Sequence, residues 1–162
     1  LASSAASDVY KRQMFWMGGL VALATALAKS GFIAWIAKLI GTAVAAANMG
    51  WIASFVLISL IYIYSHYCFA SVTARISAMY AAFVAVAAAC GVPAMLFAIT
   101  FGCFANLPIS LTHYGNGCGP VYFGAGYVSQ GEWWRNGFII TTINVVIWLT
   151  IGMAWWKFIG LY

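Results

Sequence analysis

A short polar stretch in the middle of an apolar chain holds most of the side chains that could bind a ligand. Ser71 and Thr73 can donate hydrogen bonds through their hydroxyl groups, and Arg75 carries a guanidinium that stays charged in proteins. A charge in so apolar a setting needs a partner, yet both acids, Asp8 and Glu132, lie outside the apolar runs. The partner of Arg75 is therefore a set of main-chain carbonyls, another part of the protein, or an anionic ligand. The alternative is a side chain that extends to the nearer membrane surface.

A second polar stretch, residues 105–127, is rich in glycine and contains Thr112 beside His113. Pro108 removes a main-chain donor, and glycine allows the backbone to approach a ligand closely. We therefore predict a broken helix in this stretch. His113 is equally suited to line a site as a donor and to bond a main-chain carbonyl. For His66, which lies in the first polar stretch, we expect a carbonyl partner.

The composition of the chain decides its broad class. Hydrophobic residues make up 65% of the 162 residues and charged residues 6%, whereas soluble domains carry about 25% charged residues. The chain is thus predicted to be an all-α, multi-pass integral membrane protein within a lipid bilayer. The lack of acids in the apolar part argues against an enzyme, and the scattered bases behind the net charge of +5 argue against nucleic acid as a partner. The four cysteines show no paired spacing, so we predict neither a metal site nor a cofactor.

Helix lengths predict the path through the membrane, because a crossing needs about 20 apolar residues. Residues 1–13 differ in composition from the rest and resemble translated adaptor sequence, so we expect a non-native or unstructured leader. Residues 14–50 are expected to form a transmembrane helix followed by an interfacial helix. In residues 51–92, two apolar arms of about 15 residues flank the first polar stretch, and each arm is short for a crossing. We predict a re-entrant helical hairpin with its tip at residues 68–75.

The hairpin tip and the segments after it are predicted to form an anion site. The second arm of the hairpin points its free N–H groups and the positive end of its dipole at the tip. Residues 93–130 are predicted to hold the broken transmembrane helix with its unwound part. Residues 131–162 are predicted to hold an interfacial turn and a last transmembrane helix, which ends in tryptophans and a lysine typical of a membrane surface.

Three stretches of the sequence resemble one family of membrane carriers. They are "SHYCFASVTARISAMYAAF", "GVPAMLFAITFGCFANLPISLTHYGNGCGPVYFGAGYV" and "WWKFIGLY". The family is the divalent anion/sodium symporter family of dicarboxylate and tricarboxylate carriers. The likeness is to its exchanger branch, which includes bacterial citrate:succinate and tartrate:succinate antiporters and plastid 2-oxoglutarate/malate translocators. The resemblance runs from Phe15 to Tyr162.

This resemblance implies the C-terminal inverted repeat of a secondary transporter, with a missing N-terminal half and a homodimer as the full-length assembly. It places Ser71, Val72 and Thr73 at the hairpin tip, and Thr112 in the unwound segment, as substrate-binding residues. Val72 stands where the family has asparagine, which puts sodium coupling in question and favours exchange. Arg75 stands where related exchangers carry histidine, which indicates a changed substrate preference.

The expected function is therefore secondary active transport, by antiport, of di- or tricarboxylates such as malate, succinate, 2-oxoglutarate, tartrate or citrate across a bacterial inner membrane. Ser71, Thr73 and Thr112 would donate hydrogen bonds to the substrate, and Arg75 would add long-range positive potential. Arg75 and His113 are included among the substrate-binding residues. The alternative is a small polytopic membrane interaction subunit without transport activity, whose polar tip binds a partner helix.

Overall fold

The computed structural model describes part of the chain, namely residues 15, 18, 19, 22, 23, 25, 26, 29–46 and 50–162. The predicted leader at residues 1–13 lies outside the described residues, and so does much of the first predicted crossing. The described residues between 15 and 29 are helical. All regular elements of the described part are helices, which confirms the prediction of an all-α protein.

The bounds of the helices follow the apolar runs of the sequence. The α-helices are α1 (Phe32–Ala46), α2 (Trp51–Tyr64), α3 (Val72–Ala89), α4 (Ala94–Phe104), α5 (Gly119–Gly124), α6 (Gln130–Ile147) and α7 (Met153–Phe158). Two 3-10 helices lie at Ser65–Cys68 and Leu107–Ser110, and a π-helical turn at Trp148–Gly152 joins α6 to α7.

Among the described residues, three helical stretches are long and apolar enough to cross a membrane. They are Trp51–Cys68 and Val72–Ala89, each of 18 residues, and Gln130–Phe158, of 29 residues. The two hairpin arms are thus longer than the sequence predicts. The 3-10 turn extends the first arm, and Ser71 caps the second arm so that α3 starts directly after the tip. The re-entrant path of the hairpin and the inverted repeat stay predictions.

The interfacial turn predicted at the start of residues 131–162 is wrong. Those residues form the first turns of α6, which begins at Gln130. The cause is a capping box, in which the Ser129 hydroxyl accepts from the Glu132 main-chain N–H and the Glu132 carboxylate accepts from the Ser129 main-chain N–H. This arrangement satisfies two donors that a helix start leaves free, so the helix begins before its apolar run does.

The core of the described part consists of aromatic rings from α2, α3 and α4. The rings of Phe97 and Phe101 stack with centroids 3.8 Å apart, and the ring of Tyr62 lies 4.2 Å from that of Phe101. Other buried aromatic residues around them are Phe55, Phe83 and Phe104. Close packing of this kind is what holds membrane helices together, since lipid chains are as apolar as the side chains that leave them.

The last long helix approaches the broken segment very closely. The Gly137 Cα of α6 lies so near the Ser110 carbonyl that a Cβ atom at this position would overlap the carbonyl oxygen. Two hydroxyl contacts lie beside it, Ser110 Oγ to Thr141 Oγ1 at 3.4 Å and Tyr64 Oη to Thr142 Oγ1 at 2.7 Å. Glycine at position 137 therefore allows α6 to rest against the end of the broken helix.

Candidate functional site

The hairpin tip is the non-helical backbone between the 3-10 turn and α3. Ser71 is the N-cap of α3, with an extended backbone and with its hydroxyl accepting from the Ala74 N–H at 3.5 Å. Val72 and Thr73 form the first turn, where helix N–H groups have no acceptor within the helix. The Thr73 side chain is exposed, and those of Ser71 and Val72 are half-buried. The start of an 18-residue helix thus presents free N–H groups and hydroxyls where an anion is stabilised.

The unwound segment begins where α4 ends. The backbone of α4 is α-helical up to Phe104, the last residue before the polar stretch of residues 105–127. A 3-10 turn that contains Pro108 follows. The side chain of Asn116 then fixes the loop, since its Nδ2 donates to the Ile109 carbonyl and its Oδ1 accepts from the Cys118 and Gly119 main-chain N–H groups. The break is therefore an ordered turn with defined hydrogen bonds.

The unwound segment and the hairpin meet at the 3-10 turn that precedes the tip. Tyr114 Oη donates to the Tyr67 carbonyl at 2.8 Å. The imidazole of His66 packs against Gly115, and so does the hydroxyl of Thr112. The structure thus brings the predicted site residue Thr112 next to the 3-10 turn Ser65–Cys68, which directly precedes the hairpin tip.

His66 is a residue whose environment the sequence did not predict. It was expected to bond a main-chain carbonyl, and this expectation is wrong for the described part of the chain. The side chain is 0% exposed, and neither ring nitrogen has a hydrogen-bond partner among the described residues. The Thr112 hydroxyl is in the same condition, 0% exposed and without a partner there. Both polar groups are therefore packed closely against Gly115.

His113 lies in an aromatic cluster at the rim of the unwound segment. Its Nδ1 accepts from the Trp134 Nε1–H at 3.3 Å, and its ring stacks on Phe123 with centroids 4.3 Å apart. In the neutral imidazole the proton then sits on Nε2, which remains a donor. The hydrogen bond from Trp134 therefore links His113 to α6. A contact between His113 and the substrate stays a prediction.

Arg75 lies in the core rather than at a membrane surface. The side chain is 0% exposed, and its Cζ lies 4.5 Å above the ring of Tyr62. Nη1 donates to the Tyr62 carbonyl at 2.8 Å, while Nη2 donates to the Ala105 carbonyl at 2.6 Å and the Phe104 carbonyl at 3.4 Å. Main-chain carbonyls are thus the partners of Arg75 in the described part, and two of them are the free carbonyls at the end of α4.

The predicted site residues therefore fall into four places. Ser71, Val72 and Thr73 lie at the tip and the start of α3. Thr112 lies near His66 at the 3-10 turn before the tip, and His113 lies in the aromatic cluster against Trp134. Arg75 starts on the same helix as the tip but directs its guanidinium into the core. Glu132, the one acidic side chain among the described residues, is exposed at the start of α6, where its carboxylate accepts hydrogen bonds from Ser129. The region offers donors and a positive charge, a combination that suits an anion.

The chain is similar in sequence to a family of membrane transporters and to several of its members. Residues 10–162 match the family described as the sodium:sulfate symporter transmembrane region. The chain is 44% identical over 162 residues to dicarboxylate transporter 1, chloroplastic, of Spinacia oleracea, covering 100% of this chain and 28% of that protein. Over the same length it is 42% identical to dicarboxylate transporter 1, chloroplastic, of Arabidopsis thaliana, again covering 28% of the relative.

A bacterial relative shows the same partial coverage. The chain is 35% identical over 144 residues to the inner membrane protein YbhI of Escherichia coli (strain K12), covering 89% of this chain and 30% of that protein. The chain thus spans less than a third of the length of these relatives.

Proposed function

The chain belongs to the sodium:sulfate symporter transmembrane family, and from this we propose that it forms the part of a carrier that binds and exchanges dicarboxylates across a membrane. The family is one of transporters and not of enzymes, as the sequence predicts, and the chain is an integral membrane protein. The dicarboxylate transporters of spinach and Arabidopsis support this substrate class. Because these relatives are named as transporters, the alternative of a membrane subunit that only binds a partner helix is less favoured.

The observation that carries the proposal is the capped start of α3, which follows a 3-10 turn that contacts the unwound segment. Ser71 and Thr73 offer hydroxyl donors at the positive end of the helix dipole, and Thr112 offers a buried hydroxyl that has no other partner in the described part. Each donor is suited to a carboxylate oxygen, and hydrogen bonds to a charged group are the stronger kind. We propose that substrate carboxylates bind between these groups and the rest of the full-length carrier.

Arg75 supports the same site from a distance. Its guanidinium is held by carbonyls of α2 and by those at the end of α4, so we propose that it contributes positive potential without touching the substrate. In an apolar interior such a potential is weakly screened, which favours a divalent anion over a neutral compound. His113 would line the rim of the site through its Nε2–H.

Exchange without sodium is the coupling mode that we propose. Val72 provides no side-chain amide at the tip, where the family resemblance leads us to expect asparagine. The first turn of α3 therefore has one polar group fewer than that pattern to bind a cation and the substrate. Malate, succinate, 2-oxoglutarate, tartrate and citrate are the candidate substrates. We further propose that the full-length protein is a homodimer and that it lies in a bacterial inner membrane, the location that the name of the E. coli relative gives.

The test is counterflow with purified full-length protein in liposomes. Vesicles loaded with unlabelled malate should take up labelled succinate, and replacing external sodium with choline should leave the rate unchanged. Thr73→Ala should raise the KM for succinate about tenfold through loss of one hydrogen bond to a charged group. Thr150→Ala is the matched control, because Thr150 is an exposed threonine of the π-helical turn after α6, and its hydroxyl donates to the Val146 and Ile147 carbonyls at the end of that helix.

Two results would contradict the proposal. The first is a wild-type protein, correctly folded and inserted, that exchanges no di- or tricarboxylate. The second is an equal effect of the two threonine variants on KM, which would show that the tip has no special role in binding.

A further inference from the structure

A groove lies between α1 and α3, the second arm of the hairpin. Its volume is about 420 Å³, which is the size of pockets that bind small molecules. Small residues of both helices line it, namely Ala34, Ala37, Gly41, Ala82, Ala85 and Ala89. The two helices meet closely beside it, since a Cβ atom at Gly41 would lie 3.4 Å from Val86 Cγ1. The groove is therefore open because its side chains are short, and its surface is almost wholly apolar.

Lys38 gives this apolar groove a positive charge. It is the one charged residue of α1, and it lines the groove with an exposed side chain. Thr42, which also lines the groove, donates its hydroxyl to the Leu39 carbonyl of its own helix. Glu132, the one acid among the described residues, is bonded to Ser129 at the start of α6. A charge in so apolar a setting indicates a functional site, and the ammonium of Lys38 suits a ligand with a negative group.

The groove reaches the level of the lipid headgroups. The α3 residues that line it lie in the second half of that helix and extend to its C-cap, Cys90. The chain turns there, because Gly91 has a φ of 76° and Pro93 follows. This end of α3 lies at a membrane surface whether the helix crosses the bilayer or is the arm of a re-entrant hairpin. A lysine at that depth attracts anionic lipids, and basic pockets between membrane helices bind their headgroups.

We propose that this groove binds an anionic phospholipid, with an acyl chain between α1 and α3 and the phosphate against Lys38. Because the bilayer is itself apolar, the acyl chain gains from close packing against the short side chains rather than from leaving water. The phosphate provides the negative charge, so it decides which lipid is preferred. This site does not depend on the proposed function, and the bound lipid would hold α1 against the second arm of the hairpin.

The experiment is native mass spectrometry of the purified full-length protein, with phosphatidylglycerol or phosphatidylcholine of the same acyl chains added in detergent. The wild type should bind its first phosphatidylglycerol about fivefold more tightly than its first phosphatidylcholine, the effect of one lysine near an anionic lipid. Lys38→Gln should remove this preference, and Lys38→Arg should keep it. Lys157→Gln is the control, because Lys157 is an exposed lysine of α7 that does not line the groove.

Two alanine variants of α3 test the position of the acyl chain. Ala85→Leu should weaken the binding of both lipids about tenfold, because the larger side chain occupies the groove and removes packing contacts. Ala88→Leu is the matched control and should bind like the wild type, since Ala88 is exposed on the same helix but does not line the groove. Melting temperatures of all variants, measured in detergent, separate a loss of lipid binding from a loss of folding.

Three results would overturn this inference. The first is a wild type that binds the two lipids equally, or a preference that Lys38→Gln leaves intact. The second is wild-type lipid affinity in a folded Ala85→Leu variant, which would place the lipid elsewhere. The third is a Lys38 that resists a water-soluble acetylating reagent in lipid-free protein while Lys157 reacts, which would show that another segment of the full-length chain or a second copy covers the groove. Lipid affinity is measured without substrate, so a failure of dicarboxylate exchange bears on the proposed function alone.

Discussion

Replacing Arg75 tests whether this residue serves the fold or the substrate. Its guanidinium makes short hydrogen bonds to the Tyr62 and Ala105 carbonyls, at 2.8 Å and 2.6 Å, and a longer one to Phe104 at 3.4 Å. Methionine fills a similar volume but donates no hydrogen bond, so Arg75→Met leaves the Ala105 carbonyl without its short bond, whereas the Tyr62 carbonyl keeps the Ser65 hydroxyl as a donor. At about 1–3 kcal/mol for the unpaired carbonyl and about 1–2 kcal/mol for the lost contact to the Tyr62 ring, we expect the free energy of unfolding to fall by about 2–5 kcal/mol.

Lysine at the same position separates charge from geometry. Its ammonium keeps the positive charge but presents it at one point, whereas the planar guanidinium bonds carbonyls of α2 and of the α4 end at once. Arg75→Lys should therefore lose one of the two short bonds and destabilise the fold by about 1.5–3 kcal/mol, the usual value of a hydrogen bond to a charged group.

The assay is thermal unfolding of the purified full-length protein, followed by tryptophan fluorescence in one detergent. Arg135→Met is the control, because Arg135 is exposed on α6 and its loss should change the melting temperature little. The reasoning is refuted if Arg75→Met and Arg75→Lys melt like the wild type while their exchange rates collapse. Such a result would place the guanidinium against the substrate, which is one of the partners that the sequence left open.

Two further predictions concern α6. Gly137→Ala should destabilise the protein by about 1–3 kcal/mol because its Cβ would overlap the Ser110 carbonyl oxygen, whereas Gly131→Ala, with no atom within 4 Å, should be neutral or slightly stabilising in a melting experiment. Ser129→Ala should cost about 1 kcal/mol by removing the cap, and should speed hydrogen exchange at the first amides of α6 while the exchange of α3 amides stays the same. Equal hydrogen-exchange rates at the first amides of α6 in the wild type and in Ser129→Ala would show that the capping box does not stabilise the start of α6.

The break after α4 was predicted well, because the polar stretch that contains Pro108 begins directly after Phe104. The cap at Ser71 was not predicted, since residues 68–75 were expected to form the tip and α3 already begins at Val72. The start of α6 was predicted wrongly although its signal is present, since Ser129 and Glu132 have the spacing of a capping box. The aromatic and charged residues around Glu132 suggested a surface turn instead.

Features that depend on distant contacts could not be predicted. The carbonyls that hold Arg75 come from residues 13 to 30 positions away, and every residue type has a carbonyl, so the sequence carries no mark of them. His66 is a similar case. Its ring packs against Gly115 of the unwound segment and its nitrogens have no hydrogen-bond partner in the described part, and only the folded chain shows these two facts.

The π-helical turn at Trp148–Gly152 has a consequence for how the end of this chain is compared with its relatives. Such a turn holds one more residue than an α-helical turn, so the side chains after it are rotated by about 100° from the direction that a regular helix would give them. This rotation presents Trp156 to the core at 6% exposure and leaves Trp155 at 58% exposure. A homologue one residue shorter between positions 148 and 152 should form a regular helix there, and its inward-facing tryptophan should then occur at a neighbouring position. An alignment of this segment should therefore match residues that lie on the same side of the helix. If the two tryptophans of a homologue are shifted by one position, the shift indicates that the π-helical turn is absent, and the contact of one tryptophan with the core is kept.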